Sequence, residues 1–286
     1  MTNRILLDVV PGTPTSDGDG VKLTRIIGSP KLDMLDPFLL LDCFESDQSK
    51  DYIGGFPDHP HRGFETVTYL LNGRMRHKDS SGQEGLIAPG GVQWMTAGRG
   101  IIHSEMPEQE EGLLKGFQLW VNLPRSAKMI APGYQEFPEA DIPIERQSSG
   151  IEVRVISGQT DRGTTGPVVN HYVAPIYLDV TMPENVHFNQ TLPSTHNSFI
   201  YMIEGEVFID GNESQPTRPI TQKHLGLLSQ GQRVAIYTGD QPSRLLLIAG
   251  QPLNEPVARG GPFVMNSREE VLQAFDDFRR GQFLGA

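Results

Sequence analysis

Residues 57–65 have the sequence Pro57-Asp58-His59-Pro60-His61-Arg62-Gly63-Phe64-Glu65. Pro60 restricts the backbone of the preceding residue, His59, to extended conformations. In an extended chain, residues two positions apart point to the same side. His59 and His61 are therefore expected to present both imidazoles to one face of a strand, which would form half of a metal site.

A second pair of candidate ligands lies in Ile101-Ile102-His103-Ser104-Glu105, after the glycine-containing turn at residues 97–100. The same period of two places His103 and Glu105 on one face. If the two strands pair, three imidazole nitrogens and one carboxylate converge on a single ion. Such a mixed set suits Fe, Mn, Co, Ni, Cu or Zn, whereas Ca and Mg prefer shells made only of oxygen. A histidine pair of this spacing alone is also common in strands that bind no metal, so the second pair strengthens the prediction.

Short runs with strand character recur along the chain, and they predict an all-β protein. Each is bounded by Gly, Pro, Asn or Asp, which is typical of a sandwich or a barrel. The chain contains 31 Gly and 22 Pro among 286 residues, which favours short elements joined by tight turns. The clearest strands are expected at residues 66–71, 117–121, 151–156, 176–180, 199–203 and 244–248.

Two stretches resemble each other as weak internal copies. Tyr69-Leu70-Leu71-Asn72-Gly73 and Tyr201-Met202-Ile203-Glu204-Gly205 are each a strand that runs into a glycine turn. A duplicated β-barrel accounts for both the chain length and the repetition. We expect domain boundaries of 1–135 and 136–286, with the proline-containing segment 124–143 as an irregular linker.

A single helix is predicted at the end of the chain. Ser267 and Glu270 have the spacing of a capping box. Val271, Phe275 and Phe278 fall on one face at helical spacing, and they are expected to pack on a barrel. Gly281 supplies the end of the helix.

Composition excludes several functional classes. The net charge is −11, and the chain contains no dense run of Lys or Arg, so direct nucleic-acid binding is not expected. Cys43 is the only cysteine and cannot form an intrachain disulfide. The apolar runs are too short to span a membrane, and the first residues lack the pattern of a signal peptide. These features favour a cytoplasmic location.

The metal motifs closely resemble those of the pirin family. The resemblance covers residues 59–70, 93–107 and 118–124, and it extends to 197–205 and to the closing stretch 260–283. It spans nearly the whole chain and implies a bicupin, which is two tandem cupin barrels of jelly-roll type with a C-terminal helix.

The resemblance also implies one divalent metal per chain, Fe(II), in the N-terminal barrel, with His59, His61, His103 and Glu105 as its ligands. Ni, Cu, Zn, Mn and Co remain alternatives, and Ni, Cu and Zn bind such sites at least as tightly as Fe(II). Cupins in general use a glutamate that corresponds to Glu65 as a ligand. By parity Glu65 also faces the barrel interior, and it is expected to be a hydrogen-bonded neighbour of the site. The C-terminal barrel has only a lone histidine, His196, at the equivalent place and is expected to bind no metal.

Some bacterial members of this family act as quercetin dioxygenases. The resemblance thus implies a flavonol substrate and O2, with Glu105 or Glu65 as the general base. Phe64, Trp94, Met95 and Gln118 are candidates for the substrate pocket, although the three apolar residues fit a plain core equally well. The alternative function is an iron-dependent, redox-responsive protein that acts in transcriptional regulation by binding protein partners.

Overall fold

The computed structural model describes residues 2–210 and 218–284. The chain forms two units. The N-terminal unit comprises Thr13–Gly28, Pro37–Glu139 and Leu253–Ala286, and the C-terminal unit comprises Met1–Gly12, Ser29–Asp36 and Ala140–Pro252. A single boundary between residues 135 and 136 does not reproduce this division. The first strand is hydrogen-bonded into a sheet of the C-terminal unit, and the last helix belongs to the N-terminal unit.

Strands account for most of the regular structure. The first twelve are β1 (Leu6–Pro11), β2 (Thr13–Asp17), β3 (Val21–Ile27), β4 (Phe38–Ser46), β5 (Phe56–His61), β6 (Phe64–Asn72), β7 (Met75–Asp79), β8 (Glu84–Ile87), β9 (Val92–Thr96), β10 (Ile101–Pro107), β11 (Leu114–Asn122) and β12 (Gly133–Phe137). They are followed by β13 (Ile144–Arg146), β14 (Glu152–Ser157), β15 (Ile176–Met182), β16 (His187–Thr191), β17 (Asn197–Glu204), β18 (Glu206–Ile209), β19 (Ile220–Thr221), β20 (His224–Leu228), β21 (Arg233–Tyr237), β22 (Ser243–Gly250), β23 (Ala258–Gly260), β24 (Phe263–Met265) and the helix α1 (Arg268–Arg279). Short 3-10 turns lie at Ser49–Asp51, Arg125–Ala127 and Glu139–Asp141.

The N-terminal unit contains two antiparallel sheets. One has the strand order β12-β9-β6-β11-β4-β3-β2, and the other has the order β5-β10-β7-β8. Apolar side chains from both sheets meet in one core cluster, whose buried members are Val21, Leu23, Phe44, Tyr52, Leu70, Met75, Ile87 and Leu114. The two sheets therefore pack face to face, as the layers of a jelly roll do.

The C-terminal unit repeats this arrangement. Its larger sheet has the order β1-β20-β17-β22-β15-β14-β13, and its smaller sheet has the order β16-β21-β18-β19. Strand β1 is the edge strand that pairs with β20, with Leu6 opposite Leu228 and Pro11 opposite His224. A core cluster again draws on both sheets, for example through Val180 and Ile236. The predicted all-β fold of two jelly-roll units is confirmed, although the sheets do not close into complete barrels.

Alternating burial explains how the strands present their side chains. In β10 the odd-numbered residues Ile101, His103 and Glu105 are buried, whereas the residues between them are partly exposed. This period of two is the pattern of a strand with one face towards a core. It places His103 and Glu105 inside the N-terminal unit.

The C-terminal helix has the predicted capping box. The Ser267 hydroxyl accepts a hydrogen bond from the Glu270 amide, and the Glu270 carboxylate accepts one from the Ser267 amide. The prediction of its apolar face is wrong at Phe278, which is 41% exposed, because Val271 and Ala274 are the residues that the helix buries. No helix within the described residues is long and apolar enough to cross a membrane.

The predicted linker is wrong over part of its length. Gly133–Phe137 forms β12, an edge strand whose residues pair with Val92–Thr96 of β9. Prolines 132 and 138 lie just outside this strand, where they remove no hydrogen bond from the ladder. These two prolines therefore mark the ends of a strand, and they do not indicate an irregular linker.

Any side chain at Gly63 is expected to destabilise the folded protein. Its φ of +87° lies in the left-handed region, and a Cβ atom there would collide with the carbonyl oxygen of Val264. Gly82 has a similar φ of +85° and nothing within 4 Å of its Cβ position, so it serves as the control. We expect Gly82→Ala to lower the free energy of unfolding by about 1–2 kcal/mol. Gly63→Ala is expected to lower it by about 1–3 kcal/mol more.

Urea denaturation of the two variants and the wild type measures this difference. Equal losses of stability in the two variants would show that the close approach of Val264 to Gly63 contributes nothing beyond backbone strain.

Candidate metal centre

The pairing of β5 with β10 brings three histidines together. His59 lies opposite His103, and His61 lies opposite Ile101. One ring nitrogen from each of His59, His61 and His103 lies within 4.8 Å of the other two. The ring centroids of His59 and His103 are 4.4 Å apart, and those of His59 and His61 are 4.7 Å apart. The arrangement is a compact group of three imidazoles, the histidine triad.

His59 keeps one nitrogen available for a ligand. Its Nδ1 lies 2.8 Å from the carbonyl oxygen of Pro57, and the ring must donate this hydrogen bond because a carbonyl can only accept. The proton is thereby fixed on Nδ1, and Nε2 carries a free lone pair. Pro60 is tolerated between the two histidines because β5 is an edge strand.

The other two histidines are buried and uncharged. His61 is 3% exposed and His103 is 1% exposed. Burial lowers the pKa of His103 to about 4, although the Glu105 carboxylate acts in the opposite direction. Burial also places the pKa of His61 well below its usual value, and His103 and His59 lower it further, whereas the carbonyl of Pro262 raises it. Both imidazoles are therefore neutral, which is the state in which they bind metals.

The donor set fits a bound transition metal. Within the described part of the chain, neither ring nitrogen of His61 or His103 makes a hydrogen bond of normal geometry. Leaving buried polar atoms unsatisfied costs about 1–3 kcal/mol for each group, so such atoms normally have a partner. A cation held by His59, His61 and His103 would satisfy one nitrogen on each ring. Imidazoles suit Fe, Co, Ni, Cu and Zn.

Glu105 lies outside the triad, although the sequence predicts it as a fourth ligand. Its carboxylate is buried and accepts hydrogen bonds from the Thr68 hydroxyl at 2.8 Å and from Gln118 Nε2 at 2.7 Å. The ladder between β5 and β10 has a bulge between His103 and Glu105, so that Glu105 lies opposite Phe56. The extra residue lies on β5, whereas the pairing of β10 with β7 is regular, so Glu105 keeps the same face as His103 but is displaced from the histidines of β5. A ligand role for Glu105 therefore stays a proposal.

Glu65 is also buried and lies outside the triad. It is 2% exposed, and its Oε1 accepts a hydrogen bond from the Thr96 hydroxyl at 2.8 Å. On β6 it lies three positions before Thr68, so the two side chains point to opposite faces of the strand, and it is Thr68 that bonds Glu105. The Glu65 carboxylate is thus hydrogen-bonded, and a role for it beside the metal stays a proposal.

A cavity of about 530 Å³ opens onto the triad within the N-terminal unit. His59 and His61 form part of its wall, next to Gln118 and Trp120. The Gln118 side chain donates to Glu105 and accepts a hydrogen bond from Trp120 Nε1 at 3.1 Å. Gln118 thus connects the cavity with the buried carboxylate.

Only one of the four predicted pocket residues lines this cavity, and it is Gln118. Trp94 and Met95 are at most 1% exposed, and both belong to the core. Phe64 supports the wall from behind, with its ring centroid 5.0 Å from that of His61 and 4.4 Å from that of Trp120. The apolar core interpretation therefore fits Phe64, Trp94 and Met95, because all three are buried and none is part of the cavity wall.

Several cavity residues were missed by the sequence analysis. They include Arg25, Asp42, Phe56 and Trp120. A usable signal existed for Trp120, which lies two positions after Gln118 and so shares its face. Another existed for Asp42, a buried acidic residue of β4 with apolar residues on both sides.

The lone histidine of the C-terminal unit has a structural setting. His196 is 4% exposed, and its carbonyl oxygen accepts a hydrogen bond from the buried guanidinium of Arg4 at 2.9 Å. Burial lowers the pKa of its imidazole to about 4, and Arg4 lowers it further. His196 belongs to the same unit as Arg4, which is held by this and neighbouring carbonyl groups.

Removing one histidine of the triad is expected to abolish tight metal binding. We expect His103→Ala to reduce bound Fe(II) or Ni(II) from about one ion per chain to below about 0.1, since two imidazoles form a much weaker site. The control His171→Ala changes an exposed histidine of the C-terminal unit and should leave binding unchanged. Elemental analysis after gel filtration measures both. Full metal content in His103→Ala would rule out the triad as the site.

The metal-free protein is expected to lose stability in acid partly through His103. The unfolded chain protonates this residue near its usual pKa of 6.5, whereas the folded protein protonates it only at about 4. The contribution of neutral His103 to the free energy of unfolding is therefore complete above pH 6.5 and is lost as the pH falls towards 4. We expect His103→Gln to show a shallower decline of urea stability over this range. Parallel declines for wild type and variant, both measured with chelator, would contradict this.

Comparisons with known proteins place the chain among its relatives. The family model Pirin matches residues 20–121, and the model for the Pirin C-terminal cupin domain matches residues 177–284. A pirin-like protein of Caulobacter vibrioides is 52% identical over 283 residues, which is 99% of this chain and 100% of the relative. A protein of Pseudomonas aeruginosa, whose name gives quercetin 2,3-dioxygenase as an inferred activity, is 46% identical and covers 97% of both chains.

A solved structure shows the same fold over the whole length. The crystal structure of a quercetin 2,3-dioxygenase from Acinetobacter baumannii has a TM-score of 0.88 and is 33% identical, with 99% of each chain covered. Together with the matched family models and the jelly-roll units, these similarities show that the chain belongs to the pirin family, with two cupin domains.

Proposed function

We propose that this protein is a metal-dependent dioxygenase that uses O2 to open the ring of quercetin-type flavonols, with Fe(II) as its metal. The observation that carries the proposal is the histidine triad at the wall of a cavity of about 530 Å³. Such a volume is within the range of small-molecule sites, roughly 300–1,000 Å³. The similarity to the quercetin 2,3-dioxygenase of Acinetobacter baumannii supports the choice of substrate.

The cavity suits a flat aromatic molecule. Its wall is mostly apolar, with side chains such as Leu40, Phe44, Phe56 and Trp120. Trp120 is fixed by its hydrogen bond to Gln118 and by the Phe64 ring behind it. Aromatic rings stack favourably on such surfaces, and the burial of apolar area contributes about 25 cal/mol per Å².

The metal, when bound by the triad, supplies a Lewis acid that favours an ionised hydroxyl at position 3 of the flavonol and holds O2 near it. The protein must then accept the proton of this hydroxyl. Glu105 is the better candidate for this role, because Gln118 links its carboxylate to the cavity. Neither carboxylate is itself part of the cavity wall, and Glu65 accepts its hydrogen bond from Thr96, which does not line the cavity.

The overall reaction balances without a further reductant. Both atoms of O2 enter the products, two carbon–carbon bonds of the central ring break, and one carbon leaves as CO. The proton taken by Glu105 returns to the ring-opened acid. The hydrogen bonds from Thr68 and Gln118 hold the Glu105 side chain in place between turnovers.

The Fe(II)-loaded protein is expected to consume quercetin and O2 in equal amounts and to release CO. We expect Glu105→Gln to lower kcat at least about 100-fold, since general-base catalysis contributes about 10²–10⁴. Glu65→Gln is the matched control, as it changes another buried carboxylate of the same unit, and its effect should be much smaller. Absorbance of the flavonol and trapped CO measure turnover, and metal content is checked for each variant.

One outcome would contradict the proposal, and a second observation would then favour the alternative function. If the Fe(II)-loaded wild-type protein neither consumed quercetin nor released CO, the dioxygenase function would be excluded. A partner protein retained only by the ferric form would then favour the redox-responsive binding role in transcription.

A further inference from the structure

A row of polar side chains crosses the inner face of the larger sheet of the N-terminal unit. Arg25 lies opposite Asp42, Asp42 lies opposite Gln118, and Gln118 lies opposite Thr68 on successive strands. Residues directly opposite each other in a sheet point to the same face. The row therefore leads from Arg25 at one end to the two residues that bond Glu105 at the other.

The Arg25 end of this row opens into the cavity of the triad. Arg25, Asp42 and Gln118 all form part of the cavity wall, as do His59 and His61. Strands lie about 4.8 Å apart, so the backbone of Asp42 is roughly 10 Å from that of Thr68. A molecule bound near the triad can thus extend along the apolar wall and reach Asp42 with its far end.

The Arg25–Asp42 pair is fixed and still has hydrogen-bonding capacity. Arg25 donates from Nε to Asp42 Oδ1 at 2.9 Å and from Nη2 to Asp42 Oδ2 at 2.7 Å. A carboxylate offers about four acceptor positions, so each oxygen of Asp42 can accept once more. Within the described residues the hydrogen bonds of Arg25 use Nε and Nη2, which leaves the two N–H groups of Nη1 for a ligand.

Charge argues for a hydroxylated ligand and against an anionic one at this end. Arg25 also donates to Asp17 Oδ2 at 2.9 Å, so the guanidinium is shared by two carboxylates. Asp17 and Arg259 both line the cavity and are exposed to solvent, where their charges are screened. The remaining pair, Arg25 and Asp42, is neutral as a whole, so it offers no surplus positive charge to a carboxylate or phosphate.

We infer that Arg25 and Asp42 form a recognition site for two adjacent hydroxyl groups on the outer ring of the flavonol. One hydroxyl donates to Asp42, and its neighbour accepts from Arg25. This inference rests on the proposed function, since it names the part of the substrate that the same cavity selects. The Arg25–Asp42 pair acts on specificity, whereas the triad and Glu105 act at the reacting ring.

The C-terminal unit offers a matched control for this pair. Arg244 donates to Asp179 from Nε at 3.0 Å and from Nη2 at 2.7 Å, which is the same two-point geometry. The Arg244 and Asp179 side chains are 29% and 1% exposed, compared with 24% and 7% for Arg25 and Asp42. Asp179→Asn therefore breaks an equivalent ion pair in a unit that lacks the triad.

The test compares two flavonols with anaerobic Fe(II)-loaded protein, in which binding occurs without turnover. Quercetin has both outer-ring hydroxyls, and galangin has neither. Tryptophan fluorescence gives the Kd of each flavonol for wild type, Asp42→Asn and Asp179→Asn. Hydrogen bonds to charged groups contribute about 1.5–3 kcal/mol, so wild type should bind quercetin at least about 10-fold more tightly than galangin.

We expect Asp42→Asn to reduce this preference to less than about 3-fold and Asp179→Asn to leave it unchanged, with thermal melts to compare their stability. Equal weakening of both flavonols by Asp42→Asn, or no preference in the wild type, would overturn the inference. If either result is obtained while the wild type still releases CO in air, the inference about Arg25 and Asp42 is wrong, but the proposed dioxygenase function is retained. A wild type that binds neither flavonol and releases no CO would overturn both.

Discussion

The candidate metal centre depends on one ladder of hydrogen bonds, the antiparallel pairing of β5 with β10. Two stretches of chain that are far apart in sequence become neighbours there, and His59 meets His103 across the ladder. Imidazoles that are already held close together lose little further freedom when they bind an ion. The rest of the N-terminal unit supports this ladder, because the larger sheet packs against it and supplies Thr68, Gln118 and Trp120 around the site.

Much of this architecture follows from local patterns. The period of two within each histidine motif is a property of extended backbone, and it correctly indicates which side chains share a face. The capping box at Ser267 is equally local, since its donor and acceptor lie three residues apart. Such features need no knowledge of the remote parts of the chain, which is why the sequence predicts them.

The features that sequence analysis missed depend on non-local geometry. The bulge beside Glu105 arises from a mismatch between two strands, and neither strand shows it alone. The membership of Arg25 and Asp42 in the cavity depends on the register of three strands, β3, β4 and β11. Phe64, Trp94 and Met95 are apolar residues next to the motifs, and only the packing decides whether such residues line a cavity or fill a core.

Each unit includes a segment from the opposite end of the chain, and this affects folding during synthesis. Strand β1 leaves the ribosome first, but its partner β20 is made more than 200 residues later, since Pro11 pairs with His224. At typical rates of translation this is a delay of roughly 10–40 s. The N-terminal unit waits even longer, until α1 and Phe283 have emerged and the Phe283 carbonyl can accept its hydrogen bond from Arg62. An unpaired β1 is exposed throughout that interval, so a nascent chain of this protein has reason to engage chaperones before either unit is complete.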